Sequence, residues 1–109
     1  MGGGAPAALG RGVSRRTIFR RVARDDVREI RRWYEERRPG LGAAFIQSLE
    51  VCVAQIERTP EIWPRVDGET RRGRLRRFPY VLYYELPGDD ILILAVWHSR
   101  RDPRGWRAR

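Results

Sequence analysis

The spacing of apolar residues changes once along the chain, and that change limits the folds available to it. Ala23, Val27, Ile30 and Tyr34 recur every three or four residues and mark one face of a helix. Leu41, Phe45, Leu49, Cys52, Val53 and Ile56 mark a second such face. Between them stands Arg38-Pro39-Gly40. Proline disfavours helical backbone in the residue before it, and the Pro-Gly pair punctuates the chain. The pattern predicts one helix from Ala23 to this stop and another over 41–58, ended by Thr59-Pro60 and folded back as an antiparallel hairpin. From about Arg72 the period becomes strand-like. Residues 72–78 read as a strand broken by Pro79, 80–86 (YVLYYEL) as a second and 91–97 (ILILAVW) as a third, with a Pro87-Gly88-Asp89-Asp90 turn between the last two. The third is almost wholly apolar, as expected of a central strand covered on its faces. Residues 16–22 (RTIFRRV) supply a further short strand whose arginines suit a sheet edge. The order is β-α-α-β-β-β, an α+β fold with a helix hairpin on one face of a mainly antiparallel four-stranded sheet.

Local chemistry adds expectations. Asp25 and Asp26 fall in the first turn expected for the first helix, where the helix dipole favours negative charge. Glu29/Arg32, Arg31/Glu35 and Arg32/Glu36 have the spacing of ion pairs on an outer face. Trp33, Tyr34 and the second helical stripe are expected in the core, with Cys52 buried and inert. Phe78-Pro79-Tyr80 reads as structural, and Pro60–Pro64 as an ordered loop. Residues 1–13 are rich in Gly and Ala and are expected to be a flexible tail ahead of one domain over 14–109.

The chain of 109 residues carries a net charge of +9, and all 23 of its basic residues are arginine. Arginine pairs bidentately with carboxylate and phosphate, so a basic surface of this kind expects nucleic acid or an acidic protein segment as partner. The positive excess lies at the two ends, and the densest cluster lies at 71–77. The single cysteine can form no internal disulfide and suits a reducing cytoplasm. No apolar run reaches membrane-spanning length, and no secretory signal is expected. No Gly-rich phosphate loop, Ser/His/Asp arrangement or metal-ligand spacing occurs, so neither metal nor cofactor is expected.

Three groups of residues are candidates for function. Strand alternation would send Arg72, Arg74 and Arg76 to one face, and Arg71, Gly73, Leu75 and Arg77 to the other. Such a cluster repels itself and gains from an anionic partner. The tail carries Arg100, Arg101, Arg104, Arg107 and Arg109 around Trp106. Arg and Trp are frequent binding hot spots, so Arg101 and Trp106 are expected to touch a partner. His98, the only histidine, could shuttle a proton but is better placed to anchor a strand end. Metal-free RNA cleavage would need a base, a phosphate-binding cation and an acid. Arg77 offers a cation, while His98, Glu85, Tyr83 and Tyr84 are the proton-transfer candidates.

Taken in order, Ala23-x-x-Asp26-Val27, Trp33-Tyr34, Pro60, Arg77-Phe78-Pro79-Tyr80, Tyr83-Tyr84 and His98-x-x-Arg101-Asp102-Pro103-x-x-Trp106 resemble the RelE/ParE toxins, nearer the ParE branch, over residues 16–109. The resemblance implies the toxin of a type II toxin–antitoxin pair. A cognate antitoxin with an acidic segment would neutralise it in a hetero-oligomer. ParE-like members act on DNA gyrase without chemistry of their own, while RelE-like members cut mRNA on the ribosome. RelE-like nucleases carry Lys and a Tyr near the C-terminus; here Lys is absent and no Tyr follows Tyr84. The favoured expectation is therefore a ParE-like toxin. The alternatives are a RelE-like endoribonuclease and a decayed toxin that keeps only antitoxin binding.

Overall fold

A computed structural model describes residues 15–109; the tail expected over 1–13 lies outside them. The elements are β1 (Thr17–Phe19), α1 (Arg21–Arg37), α2 (Leu41–Arg58), β2 (Arg65–Asp67), β3 (Thr70–Arg74), β4 (Tyr80–Glu85), β5 (Ile91–His98) and α3 (Arg104–Arg107). They build a helix hairpin on a five-stranded sheet ordered β1-β5-β4-β3-β2. The β5–β4–β3–β2 run is antiparallel, and β1 joins β5 in parallel at the edge.

The fifth strand is β2, in the stretch left between the expected loop and the strand after it. It pairs with β3 around Gly68, whose φ of +58° suits glycine in a tight turn. All three residues of β2 are exposed, so it carries no apolar alternation to betray it. The Asp67-Gly68 pair was its one local sign. The strand expected over 72–78 begins earlier and stops at Arg74, because Arg77 adopts φ +72° and turns the chain out of the sheet.

The first helix starts at Arg21, so Asp25 and Asp26 lie beyond its first turn. None of the ion pairs expected on its outer face forms among the described residues; Arg28 pairs with Asp25 instead. Glu35 turns toward the next helix, where its carboxylate accepts hydrogen bonds from the backbone N–H groups of Gly40 (3.0 and 3.1 Å) and Gly42 (3.0 Å). These bonds hold its pKa below the usual carboxylate value. Gly42 lets the helices approach closely: a β-carbon there would lie 2.9 Å from the Arg31 carbonyl oxygen.

Both helical stripes face the sheet as their spacing predicts. Ala23, Phe45, Leu49, Cys52 and Ile56 are buried against Leu82, Tyr84, Ile91, Ile93 and Val96. Burial pushes the Cys52 thiol up to about 11 and keeps it protonated. Tyr34, Phe45, Phe78 and Tyr80 form an aromatic cluster at one end, with Phe78 edge-on to Tyr34 at 4.9 Å. The opposite face is also covered: Val81, Tyr83, Leu94, Ala95 and Trp97 form a second core beneath Trp106 of α3. A bulge on β5 at Leu94, opposite the Tyr83–Tyr84 step of β4, puts Leu94 and Ala95 on the same face and resets which β5 side chains meet the helices. Two covered faces explain why β4 and β5 lack polar alternation.

Beyond β1, the β5 edge meets α1. The parallel pairing ends at Phe19↔Ile93, while β5 continues to His98. Buried Asp26 of α1 takes over: its carboxylate accepts the Val96 backbone N–H at 3.0 Å. Both of its oxygens also receive hydrogen bonds from the Arg109 guanidinium. Removing a buried partner exposes the full desolvation cost of what remains. Asp26→Ala is therefore expected to cost about 3 kcal/mol, and Asp26→Asn, which keeps the bond to Val96, roughly half as much. Urea denaturation measures both; equal losses would mean that the backbone bond contributes nothing.

Candidate functional site

The chain after β5 folds back onto the sheet. His98 shapes the turn: its carbonyl accepts the Arg101 N–H, and its Nδ1 accepts the Arg100 N–H at 3.1 Å. The Asp102 carbonyl accepts the Trp97 Nε1–H at 3.1 Å. Gly105 then rests on Trp97, where a β-carbon would come within 2.8 Å of the ring. This lays Trp106 flat on Tyr83, with ring centroids 4.6 Å apart and planes 28° apart. Trp106 is 3% exposed. The tail expected to present Trp106 to a partner instead uses it as a core residue. Three tail arginines are also engaged: Arg104 with Asp102 (2.7 Å), Arg107 with Asp67 (3.0 Å) and Thr70 (2.8 Å), and Arg109 with Asp26.

Docking of the tail leaves a cleft of about 600 Å³ between α1 and the turn after β5, lined by Trp33, Tyr80, Trp97, His98 and Arg101 with Asp26 and Arg109. Trp33, expected in the core, is 47% exposed and carries the Arg37 guanidinium 3.6 Å above its ring. It sits beside Tyr34 on the helix but points off the buried stripe, a turn of about 100°. Arg101 stacks 3.7 Å over Trp97, so its charge stays at the surface while its plane is held. Tyr80 meets His98 edge-on at 5.2 Å, and burial raises the Tyr80 phenol pKa. Aromatic and guanidinium side chains are the types enriched at binding hot spots. The sequence singled out His98 and Arg101 here but missed the contributions of Trp33 and Tyr80 and the Asp26–Arg109 pair.

The arginine cluster divides in two. On β3 the expected alternation holds: Arg72 and Arg74 are exposed and Gly73 is buried. Gly73 sits against the Trp63 indole, 2.8 Å from where a β-carbon would stand. Arg71 turns inward and donates to the Trp63 carbonyl at 2.6 Å. Arg77, expected on the inner face, is exposed because its positive φ rotates it out of the alternation. Arg72, Arg74, Arg76, Arg77 and Arg100 form no ion pair among the described residues.

The proton-transfer candidates do not meet. Tyr84 is fully buried and donates its hydroxyl to the Pro60 carbonyl at 2.7 Å; burial raises its pKa. Tyr83 lies under Trp106. Glu85 accepts the Thr70 hydroxyl at 2.8 Å. In the β4–β5 register His98 stands opposite Tyr80, whereas Glu85 stands opposite Leu92. At the rise of a strand this puts Glu85 and His98 about 17 Å apart. Among the described residues no cluster of His, Cys, Asp and Glu could hold a metal ion.

Substitution separates the structural role of the tail from its surface role. Trp106→Ala opens a cavity over Tyr83 and is expected to cost about 3–5 kcal/mol. Arg101→Ala, at the exposed rim, is expected to cost about 1 kcal/mol or less. Thermal melts of both variants check this; a Trp106→Ala protein as stable as the parent would show that the tail is not docked.

The family model described as ParE toxin of type II toxin–antitoxin system, parDE, matches residues 17–103. Among curated proteins none matches the chain by sequence. Solved structures share the fold. One is from a chromosomal ParDE toxin–antitoxin system of P. aeruginosa, with 19% identity and a TM-score of 0.69, covering 78% of this chain and 96% of that one. Another is from the RelBE2 toxin–antitoxin complex of Mycobacterium tuberculosis, with 23% identity and a TM-score of 0.55, covering 79% and 99%. At these identities the two structures speak for the fold alone, and the family model carries the assignment. The chain belongs to the ParE toxin family of type II toxin–antitoxin systems.

Proposed function

We propose that this toxin acts by binding rather than by cleavage, with DNA gyrase as its target, and that a cognate antitoxin holds it inactive in a hetero-oligomer in the cytoplasm. The observation that carries the binding reading is the dispersal of the proton-transfer candidates. Tyr84 is spent on the core, and Glu85 stands at the other end of the sheet from His98. General acid–base catalysis needs both groups within hydrogen-bond reach of one substrate. Among the described residues the expected pairing of Glu85 with His98 does not form; the group beside His98 is Tyr80, 5.2 Å away between ring centroids, whose phenol pKa burial raises. Membership of the ParE family supports the choice of gyrase only through the resemblance drawn from the sequence, which implies gyrase for ParE-like members.

The surface suits recognition. The cleft presents Trp33 and Arg101 at its rim, and the exposed Arg72, Arg74, Arg76, Arg77 and Arg100 add positive charge near the sheet. On the other side of α1, a groove of about 550 Å³ between the helices has Val27, Ile46, Leu49 and Val53 among its lining, with Arg24 and Arg28 from α1 and Glu50 and Glu57 from α2 beside it. An antitoxin segment with apolar and acidic residues fits that groove, apolar side chains down and carboxylates against the arginines. No helix among the described residues is long and apolar enough to cross a membrane.

Two assays on purified toxin test the reading. Supercoiling by gyrase is expected to fall in its presence, and messenger RNA in a reconstituted translation system is expected to stay intact. His98 lines the cleft and its Nδ1 holds the turn, so the informative variant is His98→Asn, whose Oδ1 can still accept the Arg100 N–H; it is expected to lose no more than about tenfold in toxicity, since no proton moves in the mechanism. Ribosome-dependent cuts in codon phase, lost in His98→Asn protein that still folds, would replace the binding mechanism with a nuclease.

A further inference from the structure

We propose that the sheet end built from Arg74, Arg76, Arg77 and Arg100 binds the phosphate backbone of duplex DNA without reading its sequence. Three chain segments meet there. The bond from the Ser99 N–H to the Pro79 carbonyl, 2.9 Å, ties the turn after β5 to the segment between β3 and β4. It brings Ser99 and Arg100 to the end of the sheet where Arg74, Arg76 and Arg77 leave β3. A small cleft of about 250 Å³ separates them, lined by Arg74, Pro79, Tyr80 and Ser99.

The charge at this end is uncompensated. The four arginines are exposed, and none forms an ion pair among the described residues. Elsewhere Arg16, Arg28, Arg65, Arg104, Arg107 and Arg109 each pair with a carboxylate, and Arg21, Arg32, Arg38 and Arg58, although unpaired, each have an acidic residue within four positions in the chain. No Asp or Glu occurs in residues 70–84 or 91–101, the stretches that build this end. Like charges gathered at one end of a sheet repel one another, and an anion among them relieves that repulsion. Arg77 adds a second sign. It is the only non-glycine residue with positive φ among the described residues, a strained conformation for its side chain. Buried Leu75 and Phe78 on either side fix the backbone that holds it outward.

The chemistry of this end favours phosphate over a protein partner. Leu75 and Phe78 are buried, so the surface offers guanidiniums, the Ser99 side chain and Pro79, with no large exposed apolar anchor. Protein interfaces draw most of their energy from such anchors, whereas backbone contacts to nucleic acid need positive charge and hydrogen-bond donors alone. Guanidinium forks match phosphate oxygens bidentately. The choice of DNA over RNA rests on the gyrase reading above, because gyrase holds duplex DNA.

Fluorescence anisotropy with the full-length toxin and a labelled duplex of arbitrary sequence tests this. The assay contains no gyrase, so its failure is distinct from a failure to inhibit supercoiling. Affinity is expected to fall linearly on a logarithmic salt axis, with a slope of about 3–4 for as many phosphate contacts. The combined variant Arg74→Ala, Arg76→Ala, Arg77→Gly, Arg100→Ala touches only exposed side chains, and glycine relieves the strained φ. It is expected to lose at least about tenfold in affinity at low salt and most of the slope. A charge-matched variant, Arg21→Ala, Arg32→Ala, Arg38→Ala, Arg58→Ala, removes exposed arginines outside this end and is expected to bind within about threefold of the parent. Equal losses in the two variants would reduce the effect to net charge and overturn the site. So would undetectable duplex binding at low salt, tighter binding to a matched RNA duplex, or tighter binding to polyglutamate that is lost in the first variant.

Discussion

Asp26 joins three parts of the chain that lie far apart in sequence. Its carboxylate accepts a backbone N–H from β5, where the parallel partner strand has ended, and receives the guanidinium of Arg109 from the tail. A carboxylate with so little exposure is tolerable only when it is paired and hydrogen-bonded. The cleft follows from this arrangement, because the same contacts hold α1, β5 and the tail around it. The burial of Trp106 is a separate anchor for the tail. With both in place, the segment after β5 is part of the folded domain and not a free basic arm.

The sheet is correspondingly buried on both faces. Helices cover one side, and α3 with its tryptophan covers much of the other. Two thin cores in a small domain leave little surplus of buried apolar area, so each aromatic contact matters. Tyr84 and Trp106 show the consequence. Both belong to residue types that often act at sites, and both are committed to packing. What remains exposed is the rim: Trp33, Arg101 and the unpaired arginines.

The proposed binding mechanism rests on the same division. Cleavage would require the acid and base to converge on one side of the sheet. Here β4 and β5 run antiparallel and carry Glu85 and His98 to opposite ends. Register, a property of strand pairing, thus decides what the residue types can do together.

Much of this was legible in the sequence. The helical stripes at 23–34 and 41–56 and the apolar runs at 80–86 and 91–97 determined the element order and the core face, because burial imposes a period that tertiary context rarely erases. The composition determined that the surface is basic and arginine-only. Other features depended on contacts between distant residues. The hairpin strand β2 has no buried side chain, so no period marked it. Trp33 and Trp106 exchanged their expected places, the first exposed and the second buried, because an indole suits either a core or a rim and only the packing around it chooses. The position of Asp26 suggested a helix dipole, but its role came from the end of β1 and the return of Arg109, which no local spacing encodes. Which arginines are free was likewise settled in three dimensions, since an ion pair depends on which carboxylate the fold brings near.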